Sequence, residues 1–98
     1  MIWKYKARFL KAFDRLSAND REQAIKAVDQ IQGCFERRKE VLEGLGLKKL
    51  FSRERLGAVF EARATRALRI LFAVEDGTST FWMIGNHEDV RRFIRSFQ

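Results

Sequence analysis

From Val59 onward the apolar residues of this chain stop recurring every three or four positions and begin to alternate, VFEARATRALRILFAVEDGTSTFWMI. That change of period confines the segment to β-strands, because successive side chains on a strand point to opposite faces. Val59–Arg63 makes one strand, Ala64–Arg66 turns, and Ala67–Val74 returns. On the returning strand Leu68, Ile70, Phe72 and Val74 share one face, and Arg69, Leu71 and Ala73 the other. Asp76-Gly77 is a hairpin signal, since the tightest hairpin turns need a left-handed backbone at their centre. Thr80–Ile84 is the last strand, with Phe81 and Met83 opposing Trp82 and Ile84.

The N-terminal half has a different grammar. Ile2–Lys6 alternates as a short strand, and then Phe9, Leu10, Phe13 and Leu16 recur at helical spacing. Ser17-Ala18-Asn19-Asp20 breaks the pattern, and Asn19 with Glu22 three residues on predicts the cap of a second helix. Ala24, Ile25, Val28 and Ile31 stripe that helix, and Gly33 suits its C-terminal exit. A shorter helical piece is expected over Cys34–Leu42, ended by Gly44 and Gly46, before a strand at Leu47–Phe51 and the polar loop SRERLG. After the last strand, Asn86 is placed to cap a helix whose Val90, Phe93, Ile94 and Phe97 form a stripe. The order β-α-α-(α)-β-β-β-β-α predicts an α+β fold, with N-terminal helices on one face of a twisted antiparallel sheet of about four strands and a C-terminal helix. With 98 residues and no proline, residues 1–98 are expected to form one domain.

Charge narrows the partners. Twenty Lys and Arg against thirteen Asp and Glu give a net charge of +7. A small body with that field attracts polyanions or an acidic protein. The longest charge-free run, Gly77–His87, is too short for the roughly 20 apolar residues of a membrane span, and MIWKYKARF has no signal-peptide core. The cytoplasm is therefore the expected location, with no membrane role. One cysteine, Cys34, and one histidine, His87, supply too few soft ligands for a metal centre. Cys34 sits in an apolar helical context and reads as a small core residue rather than a nucleophile. No glycine-rich phosphate loop, GxSxG elbow or HExxH helix occurs.

What remains is a cationic set on strands: Lys48, Lys49, Arg63, Arg66 and Arg69, with Glu61 beside them and His87 at the strand-to-helix junction. RNA can be cut without metal or cofactor if a base takes the proton of a 2′-hydroxyl, cations stabilise the charge on phosphorus, and an acid protonates the leaving 5′-oxygen. His87 or Glu61 suits the proton transfers, and arginines grip phosphate through forked hydrogen bonds. Plainer roles compete with these. Glu61 and Arg63 share a strand face and can form a surface ion pair, and His87 can be a packing residue. Only one of Lys48 and Lys49 can face the site, since neighbours on a strand point apart. Arg91, Arg92 and Arg95 suit a solvated helix side. Trp3, Tyr5 and Trp82 suit either a core or stacking on bases.

The segments FLKAFDRLSANDREQAIKAVDQI, LGLKKLF, VFEAR, ALRILFAVEDGT and FWMIGNHEDV, in that order, resemble the RelE/ParE superfamily of bacterial toxins from type II toxin–antitoxin systems. An aromatic-Glu-X-Arg strand, then a Leu-Arg-Ile-X-Phe strand, then Gly-X-His-Glu, looks like the RelE-like branch. The resemblance spans nearly the whole chain. It implies a metal-independent endoribonuclease that cuts mRNA at the ribosome, inhibits translation, and is held inactive by a wrapping antitoxin. By position, it implies that Arg69 contacts the scissile phosphate and that Arg63, with Lys48 or Lys49, contributes basic contacts. His87 then falls near the C-terminal histidine or basic residue of some members. The chain departs from the pattern in having no C-terminal tyrosine: Tyr5 is its only one, and the last helix offers Phe93 and Phe97. The same superfamily leaves two alternatives, a ParE-like inhibitor of DNA gyrase that cuts no RNA, and a toxin-fold partner module without activity.

Overall fold

The computed structural model describes residues 1–36 and 45–96. Its elements are β1 (Ile2–Tyr5), α1 (Ala7–Asp14), α2 (Ala18–Glu36), β2 (Lys48–Arg53), β3 (Gly57–Arg63), β4 (Arg69–Glu75), β5 (Thr78–Gly85) and α3 (His87–Arg95). Of the helical piece expected over Cys34–Leu42, Cys34, Phe35 and Glu36 belong to α2. The remainder, with Gly44 and the terminal Phe97, lies outside the described residues.

The α+β plan holds, and the sheet is larger than expected. Five strands lie in the order β1-β5-β4-β3-β2. The meander from β2 to β5 is antiparallel, whereas β1 lies parallel against β5 with Ile2 opposite Thr78. The β4–β5 hairpin turns at the anticipated dipeptide, where Asp76 and Gly77 have φ of 44° and 77°.

Strand alternation in β4 divides the interior in two. Ile70 and Phe72 belong to a cluster with Phe9, Ala24, Ala27 and Ile31 of α1 and α2. Leu71 and Ala73 face the other way and pack with Val90 and Phe93 of α3. The C-terminal helix thus covers part of the sheet face that the N-terminal helices leave open. Phe72 and Phe81 are wholly buried, each contributing roughly 1.5–3 kcal/mol of burial energy. Phe35 meets Phe60 and Phe72 edge-on, at ring distances of 5.5 and 5.8 Å.

Three local expectations are corrected. The α2 cap is Ser17, whose Oγ accepts from the Asp20 backbone N–H at 3.1 Å, so Asn19 lies inside the helix rather than before it. Gly33 does not end α2: it is buried, and the helix runs past it to bring Phe35 onto the sheet. In β5 an irregularity sets Leu71 opposite Met83 but Phe72 opposite Phe81, leaving Trp82 as an extra residue. Trp82 and Met83 therefore pack on the α3 side, while Phe81 and Ile84 pack on the α1/α2 side. A bulge of this kind re-aims side chains without ending the ladder.

Candidate active site

Register assembles the charged residues at one end of the sheet. Glu61 of β3 lies opposite Lys48 on β2 and Leu71 on β4. Two pairs further along, Arg63 faces Arg69, which in turn faces Gly85 of β5. Directly paired residues share a face, so Lys48 and Glu61 stand with Leu71 on the side that α3 partly covers. Lys49 pairs with Phe60 and belongs to the helix-covered side.

Arg69 and Glu61 are the most enclosed members of the set. Arg69 Nη1 lies 3.5 Å from Glu61 Oε1, with the two side chains only 21% and 15% exposed. The sequence reading had offered Arg63 as the partner of Glu61; the structure gives Glu61 to Arg69 on the neighbouring strand instead. Arg69 Nε is buried and has no hydrogen-bond partner among the described residues. A buried donor left open costs roughly 1–3 kcal/mol, so an incoming acceptor has something to satisfy there.

His87 stands across the end of β5. It is the first residue of α3, two positions beyond the Gly85 that faces Arg69, and it is exposed. The expected Asn86 cap is present and reciprocated: Asn86 Oδ1 accepts from the Asp89 N–H at 2.7 Å, and Asp89 Oδ2 accepts from the Asn86 N–H at 3.1 Å. That capping box fixes where the helix, and hence the imidazole, begins.

Arg63 and Arg66 lie apart from this group. Arg63 ends β3, and its guanidinium packs against Gly46 and lines a polar cavity with residues of α2. Arg66 is exposed in the connection to β4, where Thr65 Oγ1 accepts from the Leu68 N–H at 3.0 Å. Glu61 and Arg69 are thus brought into contact, Lys48 shares their face by register, and His87 lies at the helix start two residues beyond the Gly85 opposite Arg69. Lys49, Arg63 and Arg66 do not join them.

The aromatic residues divide by role. Tyr5 stacks on Phe81 at 5.1 Å and its hydroxyl accepts from Gln32 Nε2 at 3.2 Å. That hydroxyl is held beside α2 and away from Arg69. Phe93 is buried against Trp82, with the Arg8 guanidinium 4.9 Å from its ring centre. Trp3 stacks on Phe81 and donates to the Glu36 carboxylate. Cys34 packs with the α1/α2 cluster while His87 begins the helix on the opposite face, so the two do not form a nucleophile pair. Among the described residues no three His, Cys, Asp or Glu side chains are grouped to hold a metal ion, and no helix is long and apolar enough to cross a membrane.

Sequence reasoning missed Gln23, Lys26 and Gln30, the α2 residues that share the cavity with Arg63. Their spacing of three and four puts them on one helix face, but nothing local says what that face meets.

No protein-family model matches the chain, and no curated protein matches it. Solved structures do. The archaeal RelE–RelB complex from Pyrococcus horikoshii superposes with a TM-score of 0.66 at 18% identity, over 87% of this chain and 92% of that one. The Escherichia coli DinJ–YafQ complex gives 0.64 at 13% identity, over 90% and 94% of the two chains. A metal-bound toxin from Helicobacter pylori gives 0.65 at 11% identity, over 92% and 98%. The chain therefore has the fold of RelE-like toxins.

Proposed function

We propose that this chain is the toxin of a toxin–antitoxin system and that it acts as an mRNA endoribonuclease, working at the ribosome in the cytoplasm. The observation that carries the reading is the enclosed Arg69 guanidinium, anchored by Glu61 and with a buried Nε that has no partner among the described residues; Lys48 is paired with Glu61 across β2 and β3, and His87 follows the Gly85 that faces Arg69 by two residues. Such a group is built to receive a phosphate, because a phosphoryl oxygen satisfies the orphan donor and the charge together.

In this reaction the 2′-oxygen attacks the adjacent phosphorus as its proton passes to a base. The bond to the 5′-oxygen then breaks, and that oxygen takes a proton from an acid. A 2′,3′-cyclic phosphate and a free 5′-hydroxyl result. Arg69 stabilises the charge on the phosphorane, and Lys48 supports it from across β3. The arriving phosphate displaces the Glu61 carboxylate from Arg69 and frees it to accept the 2′-proton. His87, exposed at the first position of α3, serves as the acid. The phenylalanines of the last helix have no hydroxyl, so proton transfer rests on these two residues. Between assaults on RNA the protein is silenced by an acidic antitoxin segment, drawn by the net charge of +7.

Expression of the parent chain is expected to arrest growth, with primer extension showing new mRNA ends, while Arg69→Ala restores growth and intact mRNA. Equal arrest by both would sink the assignment. Arrest with intact mRNA and loss of DNA supercoiling would select gyrase as the target instead. Harmless expression without any antitoxin would mark the chain as an inactive partner module.

A further inference from the structure

Arg63 and Arg69 face each other across β3 and β4, yet their guanidinium groups go to different places. Arg69 turns to Glu61. Arg63 turns to a cavity of about 370 Å³ between the end of β3 and α2, whose polar walls are Gln23, Lys26 and Gln30. Gly46 makes that turn possible: at its φ of +55° a side chain is strained, and a Cβ there would lie 2.7 Å from Arg63 Nε. A glycine thus keeps the guanidinium in the cavity wall.

The charge inside this cavity is unbalanced. Two other cation-bearing cavities contain their own acids: Glu75 and Asp76 accompany Lys4, Lys6 and Arg55 in one, and Asp89 accompanies Arg8 and Arg92 in the other. No carboxylate lines the Arg63 cavity among the described residues. Neither Arg63 nor Lys26 has a side-chain ion pair among the described residues, and the amides of Gln23 and Gln30 add neutral donors. Two cations and two amides with no acid among the described lining residues suit a singly esterified or diester phosphate.

We infer that this cavity binds the backbone phosphate of the nucleotide next to the one held at Arg69, so that a single RNA strand crosses the rim of the sheet between the two arginines. The assignment rests on the nuclease reading above and adds α2 to the substrate path. Cross-strand neighbours lie about 5 Å apart at Cα. The paired arginines therefore start from one point on the rim and present two separate grips to consecutive phosphates.

The test uses the full chain and a short 2′-O-methyl oligoribonucleotide, whose blocked 2′-oxygen cannot attack. Binding is followed by fluorescence anisotropy across a salt series. Lys26→Gln removes one charge from an exposed helix position and leaves the fold intact. It should weaken binding roughly fivefold at low salt and flatten the dependence of log K on log salt by about 0.7. Methylphosphonate substitutions walked along the oligonucleotide should then locate one phosphate whose neutralisation weakens the parent and leaves Lys26→Gln unaffected. Lys11→Gln on α1 carries the same charge change away from the cavity and should lack that coupling.

Parental affinity and slope in Lys26→Gln, in a parent that binds and cleaves RNA, would overturn the cavity assignment alone. A parent that neither binds the oligonucleotide nor cuts mRNA would remove both readings. Unchanged RNA binding in Lys26→Gln, with weakened neutralisation by the antitoxin, would give the cavity to a protein carboxylate and overturn the assignment as well.

Discussion

An arginine with most of its guanidinium out of water is stable only while something holds its charge, and for Arg69 that something is Glu61. The same carboxylate competes with any anion that comes to Arg69, so Glu61→Gln should act in two directions. Affinity for an uncleavable oligoribonucleotide should rise severalfold, because the competing charge is gone, while cleavage should fall by about 10²–10⁴, the usual contribution of a general base. Anisotropy and a cleavage assay on the same protein separate the two. Parallel losses in both would show Glu61 to be merely structural. Removing the side chain altogether, Glu61→Ala, should also lower stability by about 1–3 kcal/mol in urea denaturation, since it strands a partly buried charge.

At the scale of the element, α3 matters because it delivers His87, and its starting point is set by the Asn86–Asp89 box. Asn86→Ala should cost about 1 kcal/mol in stability. Its effect on cleavage should be larger than that loss explains, because the first turn frays and the imidazole loses its position. A matched pair of melting curves and cleavage rates checks this. The cap was legible in the sequence because it is local: an acceptor and its reciprocal acid stand three residues apart. At α2 the same rule misplaced the cap: Asn19 with Glu22 matched the pattern, but Ser17 takes the role and α2 begins at Ala18. Gly33 looked like a helix exit because an isolated glycine usually is one. Here Phe35 anchors the last turn against Phe60 and Phe72, and tertiary packing overrides the local preference. The β5 irregularity was hidden for a related reason, since strict alternation assumes an unbroken ladder and Trp82 breaks it. The sheet face of Arg69 and the junction position of His87 could be read from the alternation and the helix start. The split between Arg63 and Arg69 could not, because both sit on strands that alternate identically, and what separates them is tertiary: Glu61 holds one, and the cavity beside α2 and Gly46 takes the other.

For the molecule as a whole, two aromatic layers and one non-local strand pairing carry the stability. Phe72→Ala empties the centre of the larger cluster and should cost about 3–5 kcal/mol, a large share of the 5–15 kcal/mol that holds a typical domain together. Deleting residues 1–5 should do different damage: it uncovers the edge of β5 that β1 occupies, and self-association should appear in light scattering. That pairing also sets a clock. Ile2 is made 76 residues ahead of its partner Thr78. The first strand must wait, and the sheet closes late. Arg69, Asn86 and His87 also follow both helices of the opposite face, so the charged end of the sheet forms after α1 and α2 have been made. The edge of the sheet and the start of α3 thus wait on the same strand, β5, which seats β1 along one side and hands the chain to His87 at its end.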